Sequence, residues 1–199
     1  MGRQKSFLSF MGIPLEESLV EEIIRVQNSL RKLSPSIIWE KPEKLHITIA
    51  YLGKVSDSSL YQLTNSLSKI IDVREPIFIK PSYVDYFYKK HDDSVIYLGL
   101  SDDEPIRNLE LTVRKTLFDL KYSPPLRYQP HITIGKIKRL KHPNQLKDIL
   151  YSLKQEPLLP FSPSAVTQLV FYQSTFSRDE NTSQFIKKST LPLIKQYIQ

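Results

Sequence analysis

The sequence predicts an α+β domain of antiparallel sheets with helices on their outer faces, and three observations support that prediction. Candidate elements follow one another as a strand, a helix and further strands, and this order then repeats. The tetrapeptide HITI occurs twice, at residues 46–49 and 131–134, each time on a strand candidate that follows a helix candidate. No low-complexity linker separates the two copies. We therefore expect residues 1–199 to form a single bilobal domain, whose two pseudo-symmetric lobes pack as one unit around a central cleft.

The first half of the chain contains three strand candidates and two helix candidates. The strands are predicted at residues 6–13, 36–40 and 45–52. The first helix is predicted at residues 14–33, where four apolar residues recur at helical spacing: Leu19, Ile23, Val26 and Leu30. The second helix is predicted at residues 56–71, and Ser56 or Asp57 can cap its start.

The second half repeats this mixture with more strands. They are predicted at residues 76–88, 94–100, 130–137, 165–176 and 183–193. The first two are joined by the polar turn KKHDDS and therefore predict a hairpin. A third helix is predicted at residues 102–120, with Leu109, Val113 and Leu117 on one face, and a short fourth helix at residues 143–153.

The composition excludes several classes of function. The chain has no cysteine, which removes disulfides, thiolate metal sites and cysteine nucleophiles. It has no Walker loop, dinucleotide-binding glycine motif or serine nucleophile elbow. The net charge of +7, from 28 Lys and Arg against 21 Asp and Glu, favours polyanionic partners but also fits a merely soluble basic surface.

The sequence also predicts a location. No apolar run reaches the roughly 20 residues that span a bilayer, and the N-terminal stretch lacks the apolar region and cleavage site of a signal peptide. We therefore expect a cytoplasmic protein without a membrane partner. The start MGRQKS also matches the short pattern for myristoylation at Gly2, a kind of match that is common by chance.

The repeated tetrapeptide predicts a catalytic site. Side chains alternate across a strand, so His46 and Thr48 point to one face and the isoleucines of the motif to the other. The same holds for His131 and Thr133. If the two polar faces meet across a cleft, one imidazole can donate a proton while the other accepts one. The threonine hydroxyls can then hold a phosphoryl oxygen, which suits displacement at phosphorus.

Two simpler interpretations compete with catalysis. A single His-x-Thr on a strand is more often a half-buried sheet position, and only its repetition in a matching context favours a catalytic site. A metal site is also conceivable, but two histidines without a nearby acidic residue or cysteine make a poor ligand set, so no metal is expected. The other two histidines, His91 and His142, are predicted to be solvated loop residues.

The two motifs give the chain a resemblance to a known family. Two His-x-Thr-x motifs, one in each lobe, mark the two-histidine (2H) phosphoesterase superfamily, and the likeness is to its bacterial and archaeal 2′-5′ RNA ligase branch. It extends from end to end of the chain, through FLSFMGIPLEESLVEEI, WEKPEKLHITIAYLG, SVIYLGL, RYQPHITIGKI and LVFYQSTFSR. The resemblance implies a bilobal α+β fold and a hydrolase that works without a metal or other cofactor.

The resemblance also implies a substrate and roles for six residues. The substrate is RNA with a 2′,3′-cyclic phosphate end, opened to a 2′-phosphomonoester, with weak reversible 2′-5′ joining of RNA ends. His46 is then the acid on the 3′ oxygen and His131 the base on water. A separate group binds the substrate: Thr48 and Thr133 hold the phosphate, Lys136 stands where this branch commonly has arginine, and Tyr51 matches an aromatic position that can stack on the terminal base.

Two other functions stay open. One is an RNA-end-binding module with little turnover, which the lysine at position 136 leaves room for. The other is a phosphodiesterase of the same superfamily that acts on 2′-5′ oligonucleotides or small cyclic nucleotide phosphates. In each case we expect the chain to act as a monomer.

Overall fold

The fold is taken from a computed structural model of the chain, which describes residues 6–33, 36–71, 75–88, 94–137, 143–155, 158, 160–177 and 182–193. Gly2, the turn at residues 89–93 with His91, and His142 lie outside the described residues. Within the described ranges, no helix is long and apolar enough to cross a lipid bilayer.

Strands and helices mix along the chain as the sequence predicts. The strands are β1 Ser6–Pro14, β2 Ile37–Trp39, β3 His46–Ser56, β4 Ile77–Ile79, β5 Pro81–Tyr88, β6 Ser94–Leu100, β7 Ile132–Ile137, β8 Ser164–Val166, β9 Gln168–Ser177 and β10 Thr182–Pro192. The helices are α1 Glu17–Leu30, α2 Asp57–Ile70, α3 Glu104–Asp119 and α4 Pro143–Gln155. The predicted α+β class is confirmed.

The main sheet consists of two antiparallel halves. One half has the order β10-β9-β1-β3, and the other has β7-β6-β5 with β2 beside β7. Since β6 pairs along the whole of one edge of β7, β2 and β3 share its other edge. The halves meet where β3 passes β7. That they are pseudo-symmetric lobes of one domain stays a prediction.

The apolar faces of the helices bury the side of the sheet away from the cleft. The four predicted core residues of α1 are all at most 2% exposed, and those predicted in α3 are buried with them. The cap of α2 is Ser56 rather than Asp57, because the Ser56 hydroxyl accepts the backbone N–H of Ser59 at 3.2 Å. The hairpin of β5 and β6 is confirmed by their antiparallel register.

Two predicted strands are divided in the structure. The stretch at residues 76–88 forms β4 and β5, and the stretch at residues 165–176 is shared between β8 and β9. Strands β4 and β8 pair with each other in a separate two-stranded sheet. Proline lacks the N–H that a continuing ladder needs, and Pro81 accordingly begins a new strand after Lys80. Strand-forming residues predominate throughout residues 76–88, so the sequence alone does not show where the chain passes from one sheet to the other.

Candidate active site

One cleft collects the residues of both HITI motifs. Its volume is about 560 Å³, and it lies between the two halves of the main sheet. All six residues predicted from the sequence line it: His46, Thr48, Tyr51, His131, Thr133 and Lys136. The structure thus brings the predicted site residues into one space, while their chemical roles stay a prediction.

The two motifs are adjacent because the halves of the sheet join at them. Ile47 pairs with Ile132, and within the described part of the chain this is the only ladder contact between the halves. Both isoleucines are fully buried, as is the second isoleucine of each motif. Strand alternation therefore directs each threonine, and the histidine two residues before it, towards the cleft. His131 itself lies one residue before β7 begins.

A β-bulge lies at the last residue of each motif. The register of β3 against β1 skips Ile49, and the register of β7 against β6 skips Ile134. Each skipped residue is the third after its histidine. Regular alternation would place the fifth residue after a histidine on the opposite face of the strand. Because the extra residue reverses the alternation, Tyr51 and Lys136 share the cleft face with the histidines.

The bulge in β7 is stabilised by hydrogen bonds from two other elements. The backbone oxygen of Ile134 accepts the backbone N–H of Glu40 at 2.9 Å. It also accepts the side-chain amide of Gln27 at 2.9 Å, and that amide donates to the backbone oxygen of Glu40 at 3.0 Å. Gln27 lies on α1 and is 3% exposed. The bulge leaves the Ile134 carbonyl without a partner in the strand ladder. These two hydrogen bonds replace that partner, as a buried carbonyl requires.

Both histidine rings are oriented in the same way by the backbone. Nδ1 of His46 lies 2.6 Å from the backbone oxygen of Lys44, and Nδ1 of His131 lies 2.7 Å from that of Gln129. A carbonyl oxygen only accepts, so Nδ1 carries the proton in both neutral rings. Nε2 is then left to exchange a proton in the cleft. In His46 it lies 3.0 Å from the Thr48 hydroxyl.

Aromatic side chains hold the His46 ring. The Phe10 ring is tilted against it with a centroid distance of 5.0 Å, and Phe185 meets it edge-on at 5.4 Å. Gly12 provides the remaining space, because a Cβ at that position would lie 3.1 Å from Cδ2 of His46 and 3.0 Å from the Ile47 oxygen. The ring is therefore confined on several sides.

The His131 ring is supported differently. Phe87 and Tyr97 meet it edge-on at centroid distances of 4.9 and 5.3 Å, and these two rings stack on each other at 4.3 Å. The Tyr97 hydroxyl accepts the side-chain amide of Gln129 at 2.9 Å. The backbone oxygen of Gln129 orients Nδ1 of His131, and its side chain bonds to Tyr97. Gln129 therefore connects the hydrogen bond that orients the imidazole with the aromatic rings that pack against it.

The electrostatic surroundings of the two histidines are unequal. Burial lowers the pKa of both rings, because a charged imidazole loses hydration, and the carbonyl at Nδ1 opposes that effect. The pKa of His46 is also raised by Glu40 and lowered by His131 and Lys136. In the empty cleft both rings therefore favour the neutral form at neutral pH. A phosphate anion bound between them raises both pKa values.

A second chamber adjoins the cleft. It has a volume of about 490 Å³ and shares four lining residues with the first chamber: Thr48, Tyr51, Phe87 and His131. Its other walls include Arg127, Tyr128 and Gln129, and Arg127 is exposed. The site therefore extends on both sides of the Tyr51 and His131 side chains.

Comparison with known proteins finds similar phosphoesterases. The model of the LigT-like phosphoesterases matches residues 13–97, which include the first HITI motif. The RNA 2′,3′-cyclic phosphodiesterase of Methanocaldococcus jannaschii is 26% identical over 179 residues, or 90% of this chain and 98% of the relative. The same enzyme of Methanothermobacter thermautotrophicus is 23% identical over 178 residues, or 82% of this chain and 97% of the relative. The chain is thus similar to the LigT-like phosphoesterases.

Solved structures share the fold of this chain. Escherichia coli LigT in complex with 3′-AMP superposes with a TM-score of 0.72 at 19% identity, over 96% of this chain and 100% of the other. A protein of Thermus thermophilus superposes with a TM-score of 0.70 at 15% identity, with the same coverage. At such identities the likeness concerns the fold.

The sequence does not predict several other residues that shape this cleft. Gln27 had a usable signal, since it is a polar residue on the apolar face of α1 between Ile23 and Leu30. Glu40 and Gly12 had none, because a charged residue in a short connection and a glycine in a strand are both common. Among the described residues, no group of three or more metal-ligand side chains was found.

Proposed function

We propose that this protein is a LigT-like phosphoesterase that hydrolyses the 2′,3′-cyclic phosphate at an RNA end to a 2′-phosphomonoester, with His46 as the acid and His131 as the base. The observation that carries the proposal is the pair of imidazoles that lie in one cleft, each held at Nδ1 by a backbone carbonyl. The relatives named RNA 2′,3′-cyclic phosphodiesterase support the substrate class.

The proposed reaction is a single displacement at phosphorus. Nε2 of His131 takes a proton from water as the water oxygen forms its bond to phosphorus. The bond between phosphorus and O3′ breaks, and protonated His46 gives its proton to O3′. The hydroxyls of Thr48 and Thr133 donate to phosphoryl oxygens and stabilise their developing charge. The product is a 2′-phosphomonoester, and a proton returns from His131 to His46 through solvent before the next turnover.

Lys136 and Tyr51 complete the proposed substrate contacts. The Lys136 ammonium adds positive charge beside the phosphate but, unlike arginine, cannot form a bidentate pair with it. The Tyr51 ring is 62% exposed at the edge of the cleft, where a terminal base can stack on it. Both residues reach the cleft through the matching bulges, which supports a common purpose for the two positions.

The size of the site favours an RNA end as the substrate. Because one chain supplies all of the proposed catalytic residues, we propose that the enzyme is a monomer. The first chamber alone is within the volume range of pockets for small ligands, and the adjoining second chamber adds about 490 Å³. One chain supplies both histidines, so the proposed enzyme needs no second copy. If a 5′-hydroxyl replaced water in the same step, its oxygen would bond to phosphorus as O3′ departs, and RNA ends would be joined weakly and reversibly by a 2′-5′ linkage.

The test is incubation of an RNA oligonucleotide ending in a 2′,3′-cyclic phosphate with the purified chain in EDTA. We expect multiple turnover, and mapping of the product should place the phosphate on the 2′ oxygen. A phosphate on the 3′ oxygen would reverse the leaving group and contradict the proposal.

Competing substrates separate the alternatives. Tight binding of the cyclic end with no product over hours would favour the RNA-end-binding module. Faster cleavage of a 2′-5′ oligonucleotide, or of a small cyclic nucleotide phosphate, than of the RNA end would favour the other phosphodiesterase activity. We expect the RNA end to show the highest kcat/KM of the three.

Replacing Gly12 by alanine tests the confinement of His46. We expect Gly12→Ala to lower kcat about tenfold, because the new methyl group displaces a ring whose position sets the proton transfer. The free energy of unfolding should fall by only about 1 kcal/mol. Steady-state kinetics and thermal unfolding measure both quantities. Wild-type kcat in a folded Gly12→Ala variant would contradict the proposed importance of that contact.

A further inference from the structure

The strongest feature that the proposed function does not explain is an ion pair inside the cleft. The Lys136 ammonium forms a salt bridge with the Glu40 carboxylate, and both residues line the first chamber. The Glu40 side chain is 12% exposed, whereas that of Lys136 is 44% exposed. A largely buried carboxylate therefore lies within a site proposed to bind an anion. Its charge repels a phosphate, so its presence there needs an explanation.

Glu40 is held in this position by its backbone. Its N–H donates to the oxygen of Ile134, and its own backbone oxygen accepts the side-chain amide of Gln27. The same bulge places Lys136 on the cleft face. The backbone positions of Glu40 and Lys136 are thus fixed by one structural feature, and their side chains meet in the salt bridge.

The charged and titratable groups near His46 determine how this ion pair affects the protonation of the His46 ring. Glu40 lies on the connection before β3, and His131 and Lys136 lie on or beside β7. Lys44 precedes the motif and supplies the carbonyl at Nδ1, and Tyr172 of β9 lies with its ring centroid 6.2 Å away. Burial raises the pKa of Tyr172, so this ring is neutral. Of these groups, only Glu40 favours a proton on His46 by its charge.

We propose that Glu40 is a positioning residue of this site: its carboxylate anchors the Lys136 ammonium and, lying near His46, favours the proton on His46 rather than on His131. The pair makes the two otherwise similar halves of the cleft unequal, and that inequality selects the acid. Among the residues that the structure describes, no carboxylate acts on His131 in the same way. The assignment of this inequality to catalysis rests on the proposed function, whereas the effect on His46 does not.

The inference predicts shifts of opposite sign. In Glu40→Gln the pKa of His46 should fall, because Lys136 and burial are no longer opposed by a carboxylate. In Lys136→Gln it should rise, because the carboxylate remains without the ammonium. In the double variant the two changes should largely cancel. The pKa of His131 should stay close to its wild-type value in Glu40→Gln.

NMR titration of the substrate-free protein with labelled histidine measures these shifts. The chain has only four histidines, so substituting each one in turn assigns the signals. Asp57→Asn is the matched control, because Asp57 pairs with Lys188 and neither residue lines the cleft. Glu40→Asp keeps the charge and should resemble the wild type. If Glu40→Gln fails to fold, Glu40→Thr removes the charge with a smaller neutral side chain, and the same fall in the pKa of His46 is expected.

Kinetics then connect the titration to catalysis. In Glu40→Gln, kcat/KM for the cyclic phosphate should fall about tenfold above neutral pH, because the descending limb of the pH profile moves to lower pH with the acid. An unchanged His46 titration, equal shifts in both histidines, or shifts of the same sign in the two single variants would overturn the inference. If the shifts occur but the cyclic phosphate stays intact, the proposed function fails and the effect of Glu40 on His46 stands.

Discussion

The His131→Ala variant is expected to lower kcat for the cyclic phosphate about a thousandfold, because the attacking water loses the group that takes its proton. The fold should survive, since the ring faces the cleft and rests edge-on against Phe87 and Tyr97 rather than filling the core. We expect KM to change much less than kcat, because the imidazole contributes chiefly in the transition state. Initial rates on the cyclic-phosphate RNA measure both parameters.

The chain offers a matched control for this variant. Ser174 also lines the first chamber, on β9, and no step of the proposed reaction uses its hydroxyl. Ser174→Ala should therefore retain kcat within about threefold of the wild type, the size of a small change in packing. Near-normal turnover in a folded His131→Ala variant would remove His131 from the mechanism.

The His46→Ala variant should show a loss that depends on the leaving group. On the cyclic phosphate we expect a decrease in kcat of about a thousandfold, because O3′ then departs without its proton. A 3′-deoxynucleoside 2′-phosphate ester of 4-nitrophenol has a leaving group that needs no proton, and it lacks the 3′-hydroxyl that would attack phosphorus in place of water. On this ester His46→Ala should stay within about tenfold of the wild type, since general acid catalysis contributes little there. Absorbance of the released phenolate gives the rate directly.

The same pair of substrates separates the two histidines. His131→Ala should be impaired on both substrates, because both need water to be activated. If His46→Ala were impaired equally on both, and His131→Ala only on the cyclic phosphate, the acid and the base would be interchanged. The aryl ester must also be a substrate of the wild-type chain, which its rate establishes before any variant is compared.

Much of the site follows from strand alternation in the sequence. His46, Thr48, His131 and Thr133 lie on one face because their isoleucine neighbours are buried, and a period of two predicts that result. Only the family resemblance predicts Tyr51 as a site residue, and its side chain lines the cleft. The same period places it on the wrong face, and the bulge at Ile49 that corrects this has no mark in the sequence.

The remaining features depend on contacts between distant parts of the chain. Glu40 acquires its position from Gln27 and from the bulge of β7, and neither contact is visible in the sequence around WEKPEK. The division of residues 76–88 into two strands follows from the pairing of β4 with β8, which lies more than 80 residues further along the chain. Local patterns predict that a segment is a strand, but the choice of partner is a tertiary interaction.

The central claim is that the two HITI motifs form one site that acts in a single step. The most direct measurement compares kcat/KM on the cyclic phosphate for His46→Ala, His131→Ala and the double variant. Residues that act in the same step are strongly non-additive, so the double variant should lie within about tenfold of the slower single variant. If the two losses instead multiplied, as they do for independent sites, the histidines would not act together on one phosphate.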